Sequence, residues 1–334
     1  MRIEKKISRL FALLMCGVAL LVAPAVAQNS GVCTNPGDMD PATRTAVDNT
    51  ALRIFQQAQS GDYAGLRANS ISAVSSNFGG IESAVGENQA NLKGAQASVR
   101  SEYLLDASNT SGSGRTEFFC GVFNSPERVG FGINNLPRGM YAIVILDVKG
   151  GKSPITLSTI LQNSGTWRLA GFYVRPTQLA GHDGDWYVAQ ARAYKAKGQT
   201  HNAYFYYLEG WELLAPVGFM STGKLDGIAD ELNAVRPADL PAPGSPVDLP
   251  ANGKTYHITQ LFPTPVGDAL DIVVKFQVPS VADQSAAYQD NVNVMKGLLA
   301  KYPELRDAFA GVVARAVEPG GTDYGTLLAM KDVK

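Results

Sequence analysis

An α+β fold is what this sequence predicts, and three observations carry the expectation. Residues 139–176 hold three apolar, β-branched segments in succession, each closed by a short turn. A helical apolar pattern precedes them over Pro41–Ser60. A second run of strand, helix and hairpin patterns follows a proline-rich stretch at 236–252.

The three-strand run is the clearest element. Residues 141–148 are continuous and apolar up to Lys149-Gly150-Gly151-Lys152, where glycines supply the positive φ of a hairpin turn. Residues 155–161 alternate, with Ile155, Leu157 and Leu161 on one face and Thr156, Ser158 and Ile160 on the other. After Asn163-Ser164-Gly165, strict alternation sets Trp167, Leu169 and Tyr173 against Phe172 and Val174. Apolar residues on both faces predict a sheet covered on both sides, or a curved sheet with a filled concavity.

The first 27 residues read as an export signal. Arg2, Lys5, Lys6 and Arg9 precede an apolar stretch at 10–22, and Ala25-Val26-Ala27 is an A-x-A cleavage pattern. The apolar stretch is shorter than the ~20 residues that span a bilayer. Cys16 follows bulky Met15, which argues against lipoprotein processing. The expected location is therefore periplasmic or secreted, after cleavage near Ala27, with no membrane span in the mature chain. Losing the signal moves the formal charge from −1 to about −4. A mildly acidic chain without a basic cluster excludes nucleic acid as a natural partner class. Cys33 and Cys120 remain; in an oxidising compartment they are expected to form a disulfide, two buried thiols being the alternative.

Along the chain, Val47, Ala51, Ile54, Phe55 and Ala58 recur at helical spacing up to Gly61, and Asp62 can cap a second helix. The stretch 77–91 is glycine-rich and ambiguous. Strands are expected at 97–107, 117–123 and 129–134. A helix pair followed by antiparallel strands ending in Gly165-Thr166-Trp167-Arg168-Leu169 resembles the nuclear transport factor 2 superfamily, also described as ketosteroid isomerase-like or SnoaL-like. Ile54, Phe55, Ala58 and Gly61-Asp62-Tyr63 carry the rest of the likeness. It implies a cone-like domain over 41–176, a curved sheet wrapped round helices. It implies no catalytic residue, because no residue here matches a catalytic motif of that group.

Residues 177–235 are expected to form a helical hairpin extension, with Asp185 as a cap and Gly198 as the break. The spacing Ala191, Tyr194, Gly198, Ala203, Tyr207 resembles a single tetratricopeptide repeat, the plain alternative being a hairpin packed on the cone. Five prolines make 236–252 a stiff linker. The remainder, 253–334, reads as a small ββαββ domain.

Chemical motifs are few. His182, His201 and His257 lie far apart, so no metal or cofactor is expected. Gly151-Lys152-Ser153 and Gly253-Lys254-Thr255 lack the first glycine of a phosphate loop. Ser221-Thr222-Gly223-Lys224 fits S-x-x-K without its companion motifs. Two candidate sites follow. The first is a pocket inside the cone, lined by Tyr141, Trp167 and Tyr173, where a buried carboxylate such as Glu102 or Asp106 could act. The second is a docking surface of Tyr204, Phe205 and Tyr206, with Tyr207 and Trp211 assigned to the core. The sequence thus favours a non-enzymatic exported protein that binds another envelope protein. A carrier or enzyme using the cone's interior for a small ligand is the alternative.

Overall fold

The computed structural model describes residues 29–122, 125 and 127–334 and has an α+β fold. The export signal and Cys16 lie outside the described residues. The chain enters through β1 (Val32–Thr34) and then α1 (Pro41–Ser60), whose start and stop are both written in the sequence. Asp40 accepts from the Thr43 amide, Pro41 occupies the first turn, and Gly61 takes φ 70° beyond the last. Short helices α2 (Tyr63–Ala68), α3 (Ser72–Ser75), α4 (Gly79–Glu87) and α5 (Gln89–Leu92) follow, so the ambiguous 77–91 stretch is helical.

Strands β2 (Gln96–Asp106), β3 (Arg115–Cys120), β4 (Val129–Asn134), β5 (Met140–Lys149), β6 (Ile155–Asn163) and β7 (Trp167–Pro176) come next. They divide between two sheets. The larger is antiparallel in the order β1-β2-β5-β6-β7. Its β5 strand explains the layering: Ala142, Val144, Leu146 and Val148 pack under α1 and α4, while Tyr141, Ile143 and Ile145 face a second, smaller sheet. That is why 141–148 is apolar without alternation.

Strand β7 departs from strict alternation. Ile160 pairs with Gly171 but Leu161 pairs with Leu169, so Ala170 is a bulge. One extra residue reverses the facing of everything after it. Trp167, Leu169, Phe172 and Val174 therefore share the helix side, and Tyr173 turns to the other side, against Phe219.

A small pair, β8 (Gln178–Leu179) and β9 (His182–Asp183), leads into α6 (Gly184–Ala196) and α7 (Thr200–Leu214). The cap of α6 is Asp183, accepting from the Trp186 amide at 2.9 Å; Asp185 instead lies in the first turn and pairs with Lys224. Strand β10 (Met220–Thr222) then joins β4 and β3 as the third strand of the small sheet, and α8 (Gly223–Ala234) follows, capped by Thr222.

The last sheet has the order β11-β12-β13-β14-β15. Its strands are β11 (Val247–Ala251), β12 (Lys254–Val266), β13 (Ala269–Gln277), β14 (Gly311–Val317) and β15 (Asp323–Ala329). Helix α9 (Gln284–Lys301) crosses between β13 and β14, which pair in parallel. Two expectations are corrected here. The proline-rich stretch is not a linker throughout: Val247–Ala251 is an edge strand with Leu249 buried, and Pro250 is tolerated because an edge strand need not donate outward. Nor is the C-terminal part a separate ββαββ module. One apolar core joins α6, α7 and α8 to the last sheet, through Tyr206, Tyr207 and Phe309 among others. The helical hairpin thus packs on the C-terminal sheet. Tyr194 and Tyr206 donate to the carbonyls of Asp307 and Ala308 at 2.9 and 2.7 Å, satisfying two buried phenols.

Candidate binding groove

A continuous groove runs between α7, the 236–245 segment and the C-terminal sheet. It starts as a cleft of about 320 Å³ with Tyr204, Phe205 and Leu208 of α7 on one wall and Arg236–Ala238 and Leu240–Ala242 on the other. Pro241, Ala242 and Leu261 also line the next cleft, about 440 Å³, which continues over Thr259 and Gln260. From there Lys275, Gln277 and Val317 extend it through clefts of about 510 and 490 Å³ to Pro279 and Pro319.

Local sequence builds both walls. Ala242 and Ser245 exchange backbone hydrogen bonds of 3.1 and 2.8 Å around Pro243-Gly244, with Gly244 at φ 74°. Proline followed by a left-handed glycine is the sequence of a type II turn, so this rim is stiff. On β12 the register slips between Ile258 and Gln260, leaving Thr259 as a bulge whose hydroxyl donates to the Lys275 carbonyl at 3.2 Å. A bulge re-aims side chains, and here it presents Gln260 to the groove.

The charges of the lining are unequally committed. Glu318, the one carboxylate of the lining, accepts from the Val281 amide at 2.6 Å, and the lining residue His257 is held by Asp248, outside the lining, at 2.6 Å. Lys275 and Arg236, by contrast, pair with no carboxylate among the described residues; the Lys275 ammonium lies 5.5 Å from the centre of the Phe262 ring. The groove therefore offers two free cations, two side-chain amides and apolar proline surface. That set suits an extended, anionic, amide-rich chain.

The sequence-predicted docking trio is only partly here. Tyr204 is half-buried and lines the groove. Phe205 forms its floor, 1% exposed, and Tyr206 is 5% exposed against Tyr194 and Phe309. These two make no exposed patch, because Tyr206 is enclosed between the α6 aromatics Tyr187 and Tyr194 and residues 308–309, and Phe205 packs against Phe309. Tyr207 is fully buried, its hydroxyl donating to Glu231 at 2.6 Å, and Trp211 is half-buried against the same core, as core residues should be. Burial, then the Glu231 carboxylate, push the Tyr207 phenol up to about 12.

The predicted pocket trio does not converge. Tyr141 is buried on the small-sheet side, donating to the Pro137 carbonyl at 2.9 Å; Trp167 is half-buried on the helix side. Tyr173 is 39% exposed beside Phe219. Cys33 and Cys120 do form a disulfide, joining β1 to β3.

The carboxylates differ. Asp106 accepts from the Ser108 amide in a local turn. Glu102 is 2% exposed on β2, its Oε1 2.5 Å from Arg44 Nε but without hydrogen-bond alignment. Asp48, one turn along α1 from Arg44, has a buried Oδ1 lacking a partner. Burial and then the Glu102 charge push its carboxyl above the usual range, against the pull of Arg44. Ser221 donates to Asp226 and Lys224 pairs with Asp185, so the S-x-x-K residues are not a catalytic pair. No group of three or more metal-type ligands occurs among the described residues, and no described helix is long and apolar enough to cross a membrane.

No protein-family model matches the chain, and no curated protein or solved structure matches it either. Sequence reasoning missed Lys275, Arg236 and the amides of Gln260 and Gln277. Nothing local marks them; long-range pairing of β12 with β13 and the fold-back of 236–245 bring them together.

Proposed function

We propose that this chain is an exported, non-enzymatic binding protein of a bacterial-type cell envelope, cut after Ala27, and that its groove holds an extended acidic segment of another envelope protein. One observation supports the reading: clefts that share lining residues run from Tyr204 to Pro319, Lys275 and Arg236 line them without a carboxylate partner among the described residues, and the one carboxylate of the lining, Glu318, is taken up by the Val281 amide. Prolines at the rim support it, since a stiff wall lowers the ordering cost of binding. The likeness of 41–176 to the nuclear transport factor 2 superfamily and of the helix pair to a tetratricopeptide repeat remain analogies of fold, and supply no function.

Fluorescence anisotropy with labelled peptides tests this. Acidic, proline-containing peptides should bind more tightly than neutral or basic ones of equal length. Lys275→Glu and Arg236→Glu should each weaken them by about tenfold, the loss expected for one charge-assisted contact. Equal binding of neutral peptides, or charge reversals without effect, would sink the reading.

A small-molecule carrier or enzyme is the second reading, favoured by the buried carboxylates Asp48, whose Oδ1 has no hydrogen-bond partner, and Glu102, paired with Arg44, at the helix–sheet interface. Native mass spectrometry of protein taken from its own compartment separates the two. A retained small molecule lost on Glu102→Gln would support the second; a bound polypeptide would support the first.

A further inference from the structure

We infer that His201 is a pH-dependent latch that holds the 236–242 wall of the groove in place, an inference that rests on reading the groove as the binding site. His201 lies in the first turn of α7 and is largely buried, its side chain 14% exposed. Both ring nitrogens meet carboxylates: Nδ1 lies 2.7 Å from Glu304 Oε1, and Nε2 lies 3.0 Å from Asp239 Oδ1. A neutral imidazole has one N–H and one lone pair, whereas an ionised carboxylate can only accept. Two such contacts at once require the imidazolium, which donates from both nitrogens.

The surroundings supply the other half of the device. Glu304 and Tyr302 face His201 from the 302–307 segment, the Tyr302 ring centre lying 4.2 Å from the imidazole centre. Asp239 faces it from the wall, and Lys301 sits over the Tyr302 ring. Burial pushes the Asp239 carboxyl up, but its polar contacts, the hydrogen bond with His201 first among them, outweigh that and hold it below the usual range. Burial and then Asp239 push the Tyr302 phenol well above its usual range, so it stays neutral and keeps donating to the Asp239 carbonyl at 3.2 Å.

When the imidazolium gives up a proton, one carboxylate must face a lone pair. Glu304 has the shorter contact and is 21% exposed; Asp239 has the longer one and is 45% exposed. Water can replace the imidazole for Asp239 more readily than for Glu304. The remaining proton therefore stays on Nδ1, and Asp239 lets go. Asp239 lies in the same short segment as Arg236 and Pro241; its release removes one of two polar ties to this segment, leaving the Tyr302 bond to the Asp239 carbonyl, and so loosens the wall that Arg236 lines.

The test is nuclear magnetic resonance of the mature protein between about pH 5.5 and about pH 8.5, the range in which imidazoles ordinarily titrate. Imidazole nitrogen shifts should show both nitrogens protonated at the acid end and the Nδ1–H tautomer at the basic end. Backbone order parameters of Ala238, Asp239 and Leu240 should fall from about 0.85 toward about 0.6 over the same range. His201→Gln should show low order throughout, and Asp239→Asn, whose amide can donate to the free lone pair, should keep the wall ordered at high pH. An Nε2–H tautomer at the basic end, unchanged order in the wild type, or the same pH course in His201→Gln would overturn the latch. Binding of an acidic peptide should weaken about tenfold across the range if the groove reading also holds. A wall that follows pH without any peptide binding would leave the latch standing and remove the groove reading.

Discussion

Gly184 and Gly210 meet where α6 crosses α7: a Cβ on Gly184 would lie 2.8 Å from the Gly210 carbonyl oxygen, and one on Gly210 would lie 2.7 Å from a Val188 methyl carbon. The two helices can approach this closely only because neither carries a side chain at the crossing. Gly210→Ala should therefore destabilise the protein by about 1–3 kcal/mol, despite alanine's better helix propensity. Gly227 on α8 is the control, since a Cβ there meets nothing within 4 Å. Gly227→Ala should stabilise by up to about 1 kcal/mol. Chemical denaturation of both variants measures the contrast, and equal effects would show that the crossing is not tight.

Glu209 gives the fold a pH dependence of definite sign. It is half-buried on α7 with no cation paired to it among the described residues. Burial, and secondarily Glu212, raise its carboxyl to about 7. The native state thus holds a proton that the unfolded chain releases near 4.5. Stability is unaffected by this group below the unfolded value, falls as pH rises between the two, and is level above about 7. The cost at pH 8 is about 3 kcal/mol. Glu209→Gln should remove that slope and stabilise the protein at pH 8 while changing little at pH 4.5. A slope that survives the substitution would assign the titration to another group.

These two sites also show where the sequence was informative. Helix α1 was legible because its apolar spacing and its terminal glycine are local signals; the Asp40 cap, equally local, was not read. The β5–β6–β7 run was legible for the same reason, apart from facing after the Ala170 bulge, which no residue type announces. Leu249 was hidden among prolines, since composition suggested a linker and only pairing with Tyr256 makes it a strand. Phe205 and Tyr206 were misplaced because a helix wheel shows which residues share a face, but not that α6 aromatics and residues 308–309 pack against these two. The groove is wholly a product of such distant packing.

The Cys33–Cys120 disulfide closes a loop with a sequence separation of 87. By loop entropy such a link is worth about 4 kcal/mol, on a chain-statistics account of the unfolded state. It also fastens β1 to β3, across the edge where the Gly31 amide donates to the Glu117 carbonyl at 2.9 Å. The double variant Cys33→Ala/Cys120→Ala should lower the melting temperature by roughly 10 °C, and reduction of the wild type should do the same. A reduced wild type that melts unchanged would show that the strands, not the bond, hold this edge.

Arg44 and Glu102 form the ion pair whose loss should be felt most in the N-terminal unit. Glu102 is 2% exposed, so removing its cation strands a charge beneath α1, beside Asp48, whose own carboxyl is already pushed up. Arg44 is half-exposed, which moderates the expected loss. Arg44→Met should cost about 2 kcal/mol at neutral pH. Lowering the pH should recover part of this, since Asp48, whose carboxyl is pushed above the usual range by burial and then by the Glu102 charge, takes up a proton and leaves one anion fewer beside Glu102. Arg44→Met/Glu102→Gln should also recover it, because a neutral amide needs no counterion. In a double-mutant cycle the two changes should thus be strongly non-additive. Additive losses, with no recovery at low pH, would mean that Arg44 acts through its aliphatic packing on α1 and that the Glu102 charge is compensated by other groups.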